Sequence, residues 1–285
     1  MTDDSRDAAH SDRYGRPPLL ERMGNSVGRL IGDGWMRRAL RAVFRRLLGL
    51  VTGGGPRSVL PHGEVVRIAP EFRYLTWNPV EYEAFRAVLH PGDVALDVGA
   101  NVGAYTVLFG LWVGDAGRVF AFEPAPAAYD GLQRHVALNK LRGRVQTLRV
   151  AASDTVGEAE FVSEGSAGTN HLGWNSTTSS PAVIRVATTT IDEICAAQQL
   201  RPRLIKIDVE GAELAVLRGA RQTIARMDRE SGIFVEMHPS AWHAMGVSVE
   251  DLHAELAAQG LRAVPLRPSA DPWLLEGECM RLERV

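Results

Sequence analysis

Apolar and polar positions along the chain fall into three regimes. Up to about residue 33, charged residues, Gly, Pro and Ser mix without a period and read as a loose arm. Trp35, Met36, Ala39, Leu40, Val43, Phe44, Leu47, Leu48 and Val51 then recur at helical spacing, with arginines largely between them. They predict an amphipathic helix over Trp35–Val51, ended by Gly53-Gly54-Gly55-Pro56. From Glu64–Ile68, a strand candidate, short apolar runs alternate with helical patterns. Strands are predicted at Val94–Val98, Arg118–Phe122, Val145–Ala151, Leu204–Asp208 and Ile233–Met237, and Ala159–Val162 and Ile184–Val186 bracket a polar loop. Helices are predicted at Val80–Leu89, Ala104–Val113, Ala127–Asn139, Glu213–Ala225 and Val249–Gln259. Such alternation predicts an α/β domain whose parallel sheet carries helices on both faces. Arg262–Leu266 and Cys279–Leu282 are expected to close it as an antiparallel pair. The expected organisation is an arm and helix over residues 1–60 and one domain over 61–285.

Chemistry concentrates at the ends of these strands. Asp97-Val-Gly-Ala-Asn-Val-Gly103 joins a predicted strand to a predicted helix, and its glycines let the backbone turn tightly and approach a ligand. Glu123 ends the next strand, where a carboxylate can accept hydrogen bonds from both hydroxyls of a ribose. An adenosine ligand follows from the pair. A dinucleotide fingerprint would read G-x-G-x-x-G, whereas this turn has Gly99-x-Asn101-x-Gly103 preceded by Asp97. A carboxylate there repels a pyrophosphate and attracts the ammonium of a methionine moiety, which favours S-adenosylmethionine over NAD.

Leu96-Asp-Val-Gly-Ala-Asn-Val-Gly103, Phe122-Glu-Pro124, Ala152-Ser-Asp154 and Leu204-Ile-Lys-Ile-Asp-Val-Glu-Gly-Ala-Glu213 resemble the FkbM family of S-adenosylmethionine-dependent methyltransferases. The resemblance covers residues 80 to 240. It implies a Rossmann-like class I methyltransferase fold, a seven-stranded, mostly parallel sheet with an antiparallel last strand. It also maps cofactor binding onto Asp97, Gly99, Asn101, Gly103 and Glu123, with Ser153 and Asp154 near the adenine.

Methyl transfer from a sulfonium requires an aligned acceptor oxygen, exclusion of water and a home for the hydroxyl proton. Two segments offer that chemistry. In Lys206-x-Asp208-x-Glu210 alternation places the three side chains on one side, provided the strand continues to Glu210. Lys206 is read as a substrate contact or a salt-bridge partner of Asp208, and Asp208 and Glu210 as base or substrate anchor. Glu213 is read as a carboxylate favoured by a helix N-terminus. In Phe234-Val-Glu-Met-His-Pro239, His238 has the ordinary pKa of a general base and Glu236 is placed to orient it. Asp208, Glu236 and His238 are also the residues that could hold Mg²⁺. A metal-free base is the preferred reading.

The loop Ser163–Pro181 has thirteen Ser, Thr, Asn or Gly among nineteen residues, interrupted by His171, Leu172 and Trp174. An aromatic among small hydrogen-bonding groups suits a sugar, so His171 and Trp174 are acceptor candidates and the loop a lid. The expected reaction is O-methylation of a hydroxyl on a sugar, a polysaccharide precursor or a glycosylated natural product. The alternatives are an NAD-dependent oxidoreductase and a non-catalytic adenosine-binding protein.

Composition changes this picture little. The net charge of −2 argues against a general nucleic-acid binder. It averages 11 arginines and six acids in residues 1–63 with an acidic remainder, so the helix Trp35–Val51 could contact a membrane surface, the domain or a second subunit. Two cysteines, Cys195 and Cys279, form no metal-ligand spacing. No apolar run long enough to span a bilayer and no apolar leader is present, which predicts a cytoplasmic protein with reduced thiols.

Overall fold

The computed structural model describes residues 55–73, 75–163, 170–172, 182–268, 271, 273 and 276–285. The predicted helix Trp35–Val51 lies outside them. Seven strands form the main sheet: β3 (Val94–Val98), β4 (Arg118–Phe122), β5 (Val145–Leu148), β10 (Leu204–Ile207), β11 (Gly232–Met237), β12 (Leu261–Pro265) and β13 (Glu278–Arg284). Their order is β12-β13-β11-β10-β3-β4-β5, and β13 pairs antiparallel with both neighbours while the other pairings are parallel. This is the Rossmann-like methyltransferase arrangement. The central strands read as near-continuous apolar runs because helices cover both faces.

On one face Leu96, Phe120, Ile205, Val235 and their neighbours pack with helices α4 (Ile191–Ala197), α5 (Glu213–Arg218), α6 (Arg221–Arg226), α7 (Pro239–Ala244) and α8 (Val249–Ala258). The other carries Ala95, Val119, Leu204 and Phe234 against α1 (Pro79–Val88), α2 (Ala104–Trp112) and α3 (Pro126–Leu138). Strand alternation decides which polar residues meet. Lys206 pairs in register with Asp97 on one side and Phe234 on the other. Asp97, Lys206 and Glu236 therefore project on the second face, among aromatic side chains.

Three expectations need correction. Val145–Ala151 is two strands, since after β5 the chain leaves the main sheet and Ala151–Ala152 (β6) joins a four-stranded sheet with β7 (Gly157–Ser163), β8 (Asn170–Leu172) and β9 (Ala182–Thr189). The predicted strands Ala159–Val162 and Ile184–Val186 are parts of β7 and β9, so they belong to that sheet as well. The predicted helix Glu213–Ala225 breaks into α5 and α6 at Gly219. A Cβ on Gly219 would lie 2.0 Å from the Ser153 carbonyl oxygen, so this junction is packed directly onto the end of β6.

The hairpin of β1 (Arg57–Val59) and β2 (Val65–Arg67) is tied to the domain by Glu64. Tyr82 Oη donates to its Oε2 at 2.6 Å and Trp112 Nε1 to its Oε1 at 2.7 Å, bridging the hairpin to α1 and α2. Replacing Glu64 by Ala strands both donors in an aromatic cluster. We expect Glu64→Ala to lower stability by about 3 kcal/mol in urea unfolding, against about 1 kcal/mol for Tyr82→Phe.

Candidate active site

The carboxyl ends of β3, β4 and β10 meet at the point where the strand order reverses, the usual place for a ligand in such sheets. The turn after β3 is built for close approach. Gly99 has φ +81°, and a Cβ there would lie 1.7 Å from the Asp208 carbonyl oxygen, so only glycine lets this turn pass the end of β10. Gly103 has φ +87° and starts α2, with Leu132 of α3 filling the space a side chain would need.

Two cavities flank this turn. One is lined by Gly99, Asn101, Phe122, Glu123, Val150 and Phe161, among others. Glu123 is buried, with Oε2 accepting from the Asn101 amide and Oε1 from the Ala125 amide, each at 2.8 Å. Burial still pushes its pKa up to about 7, against the pull of those two amides. The second, larger cavity is lined by Glu71, Phe72, Thr76, Asp97, Tyr105 and Lys206, among others. Gly99, Asn101 and Asp208 line both.

Asp97 is 1% exposed. Thr106 Oγ1 donates to its Oδ2 at 2.5 Å, while Oδ1 is buried with no hydrogen-bond partner among the described residues. Burial raises the Asp97 pKa, and Lys206 and Thr106 oppose that rise. Lys206 Nζ donates to Asp208 Oδ2 at 2.9 Å and lies 5.4 Å over the Tyr105 ring. Burial pulls the lysine pKa down, but Asp208, Asp97 and Glu236 outweigh it, and the ammonium is held charged. Asp208 is lowered in turn, its burial overcome by Lys206, His238 and a hydrogen bond with Glu236. Burial and the Asp208 charge push Glu236 well above the carboxylate range.

His238 follows β11. Its Nδ1 lies 2.8 Å from Glu213 Oε1, and its Nε2 lies 3.8 Å from Asp208 Oδ1 and 3.9 Å from Glu236 Oε1. Burial lowers its pKa, but Glu213 and the two other carboxyls reverse this and raise it to about 9. Behind Lys206, Tyr105 Oη donates to Glu81 Oε2 at 2.6 Å, and burial raises Glu81 despite that bond.

The sequence-predicted residues thus sort into groups. Asp97, Lys206, Asp208, Glu236 and His238 converge, with one ligand-capable atom each from Asp208, Glu236 and His238 within 4.8 Å of one another. Glu210 departs from the group, because β10 ends at Ile207 and Glu210 takes φ +46°, so the alternation stops and the residue lines the Glu123 cavity instead. Ser153 and Asp154 fall beyond that cavity's wall, which is formed by Val150, Ala151 and Ala152. Glu236 does not hold the His238 ring; Glu213 does. Trp174 and the side chain of His171 lie outside the described residues. Glu81, Tyr105 and Thr106 are contributors that the sequence does not reveal, and Glu213, expected only as a helix N-terminal carboxylate, is the partner of His238. The sequence signal for Glu213 was the Glu-Gly-Ala-Glu run at a strand-to-helix turn, where one of two acids faces inward.

Removing the ammonium tests this electrostatic arrangement. Lys206→Met deprives the part-buried Asp208 of the ammonium hydrogen-bonded to it and leaves it only the His238 imidazolium at 3.8 Å, and is expected to cost about 3 kcal/mol at pH 8. In the wild type, the depressed Asp208 pKa contributes stability above its unfolded value that is lost as pH falls through the folded one. In the variant that pKa rises, so its deficit should shrink between pH 8 and pH 5 in urea titrations.

The methyltransferase FkbM domain family matches residues 97–263. The hexuronic acid methyltransferase AglP of Haloferax volcanii is 30% identical over 149 residues, 51% of this chain and 56% of that protein. The 31-O-demethyl-FK506 methyltransferase FkbM of Streptomyces tacrolimicus is 41% identical over 69 residues, 24% of this chain and 25% of that one. The matched part of this chain thus spans about half the length of the first relative and a quarter of the second. Among solved structures, the Bacillus cereus O-methyltransferase in complex with SAH aligns with a TM-score of 0.43 and 10% identity, over 72% of this chain and 80% of that one. No helix among the described residues is long and apolar enough to cross a membrane. With a match extending over more than half its length, the chain belongs to the FkbM methyltransferase family.

Proposed function

We propose that this methyltransferase transfers the methyl group of S-adenosylmethionine to a hydroxyl of a sugar, a polysaccharide precursor or a glycosylated natural product, with His238 as general base. The observation that carries the reading is the seat of His238, whose Nε2 faces Asp208, the one ionisable residue among the three that line both cavities.

The residues fit the cofactor. Asp97 Oδ1, a buried acceptor without a partner among the described residues, suits an ammonium and would repel a pyrophosphate. Each oxygen of Glu123 holds one amide and keeps a lone pair for a ribose hydroxyl. Phe122, Val150 and Phe161 offer an apolar wall to an adenine. In this reading Asp97, Gly99, Asn101, Gly103 and Glu123 hold the cofactor, and the transferase domain includes the hairpin that starts at Arg57, with Leu60 in its core, rather than beginning at residue 61. When bound, the cofactor supplies a methyl group on a positively charged sulfur, with its leaving group already in place.

What remains for the chain is to exclude water, align the acceptor and remove a proton. A carboxylate acceptor arrives already ionised, whereas a hydroxyl must shed its proton, so a base beside the shared residue favours ether formation. His238 Nε2 takes that proton, and Asp208 Oδ1 accepts from the acceptor or stabilises the imidazolium. A divalent cation fits poorly here. Asp208 Oδ2 is engaged by the Lys206 ammonium at 2.9 Å, which would oppose a second cation at the same carboxylate. The likeness to a hexuronic acid methyltransferase and the polar, Trp-containing sequence Ser163–Pro181 support a saccharide acceptor.

Calorimetry is expected to detect S-adenosylmethionine binding and no NAD binding; NAD binding alone overturns the reading. Asp97→Ala should weaken cofactor binding by about 100-fold through loss of a buried charge pair. His238→Ala should spare cofactor binding and lower kcat by about 10²–10⁴. Wild-type kcat should rise with pH as the imidazolium loses its proton, on a limb lying below the His238 pKa of about 9 in the ligand-free protein, because the bound cation favours the neutral ring. EDTA should leave turnover unchanged. Methyl-tritiated cofactor added to a cell extract should label saccharide material, and label confined to protein or nucleic acid would refute the acceptor class.

A further inference from the structure

Resting on that reading, we propose that Glu213 is the positioning residue of the transfer: it fixes the tautomer and the ring orientation of His238 and faces the imidazolium formed when the acceptor's proton arrives. Glu213 is the first residue of α5 and is 0% exposed. Its Oε1 accepts from the Gly211 amide at 2.9 Å, and its Oε2 from Trp242 Nε1 at 2.7 Å. Those two N–H groups would already satisfy a purely structural carboxylate. The third partner is His238 Nδ1, 2.8 Å from Oε1.

With donors on both oxygens, the carboxylate acts as an acceptor, so Nδ1 carries the hydrogen. In the neutral ring the lone pair then belongs to Nε2, the atom that faces Asp208 and Glu236. The backbone reinforces this aim, because His238 is wedged between the end of β11 and Pro239, the first residue of α7. The charged and titratable groups facing the ring are Glu213 from α5, Asp208 after β10 and Glu236 from β11, with Lys206 behind Asp208.

The proton balance follows. The acceptor's O–H bond breaks, and its electron pair forms the bond from oxygen to the methyl carbon. The carbon–sulfur pair stays with sulfur, which becomes neutral. The proton moves to Nε2, and the positive charge passes from sulfur to a ring already hydrogen-bonded to Glu213. A carboxylate behind an imidazole acts in the same way in hydrolytic triads, holding the tautomer and the imidazolium without itself taking the proton.

The full-length chain with ¹⁵N-labelled histidine tests this without any acceptor. Above pH 9, His238 should carry its hydrogen on Nδ1 in the wild type, and Glu213→Gln should lose that preference. Trp242→Phe, which removes a different partner of Glu213, should keep it. An Nε2–H tautomer in the wild type, or one unaffected by Glu213→Gln, overturns the proposal. With a labelled acceptor, Glu213→Gln should lower kcat by about 10²–10⁴ at unchanged KM and cofactor affinity, and move the pH limb of kcat downward. Its effect should overlap with that of His238→Ala in the double variant; independent, multiplying effects or an unmoved pH limb would refute the role. The expected tautomer without methylation of any saccharide would refute the acceptor reading and leave Glu213's role standing.

Discussion

One buried ammonium organises the carboxyl end of the sheet. Lys206 sits in β10 between Asp97 in β3 and the residues of β11, and strand register leaves it no other face. At 4% exposure it has lost its water, and it is retained in charged form because Asp208 accepts from it at 2.9 Å and Asp97 lies close by. The dependence runs both ways. Without Lys206, Asp208 would follow Glu236 and Glu81 toward the protonated form, since Glu81 is buried, Asp208 and Glu236 are largely withdrawn from water, and Asp208 alone has a lysine hydrogen-bonded to it. A buried ion pair of this kind costs its own desolvation, so its value lies less in net stability than in keeping one carboxylate ionised among several that are not.

The same end of the sheet has to bring backbone close to backbone. Gly99 passes the Asp208 carbonyl with no room for a methyl group, which draws the turn after β3 and the end of β10 into a single wall. The two cavities lie on either side of that wall and share Asp208. A ligand filling one therefore ends within reach of groups facing the other. His135 ties the outer wall to the same turn. Its Nδ1 lies 2.6 Å from the Val102 carbonyl and its Nε2 accepts from the Ala69 amide, just ahead of Phe72. Burial lowers the pKa of that ring, which suits a neutral imidazole with one donor and one acceptor position.

The architecture was legible in the sequence because parallel strands covered on both faces leave unbroken apolar runs, and Val94–Val98 and Leu204–Ile207 are such runs. The turn at Gly99 was legible because the chemistry of approach demands glycine there. What escaped reading was set by contacts distant in sequence. Nothing local distinguishes a strand that ends at Leu148 from one that runs on to Ala151; the distinction arises because β6 pairs with β9. Gly219 does not interrupt the helical period, and the break depends on Ser153 packing against it. Glu213 was read from its place at the start of a helix, whereas the atoms that define it belong to His238 and Trp242, 25 and 29 residues further along. Glu236 and His238 were paired because they share a strand side, yet the ring turns its Nδ1 toward another element.

The charge inventory of the cluster gives the proposed chemistry a physical sense. Five carboxyl groups, Glu81, Asp97, Asp208, Glu213 and Glu236, surround one ammonium and one imidazole, and three of the acids, Glu81, Asp97 and Glu236, are pushed upward chiefly by burial. Such a cluster favours a cationic ligand. A positive charge entering beside Asp97 and Asp208 satisfies the partnerless Oδ1 and draws the raised carboxyls back toward ionisation. It acts on His238 in the opposite sense. Negative neighbours hold that pKa at about 9, which at neutral pH leaves the ring charged and unable to accept a proton. A nearby cation offsets those neighbours and pulls the imidazole toward its neutral form. On the proposed reading, arrival of the positively charged cofactor would itself release the base, and the resting site would have little capacity to deprotonate an acceptor that arrived alone.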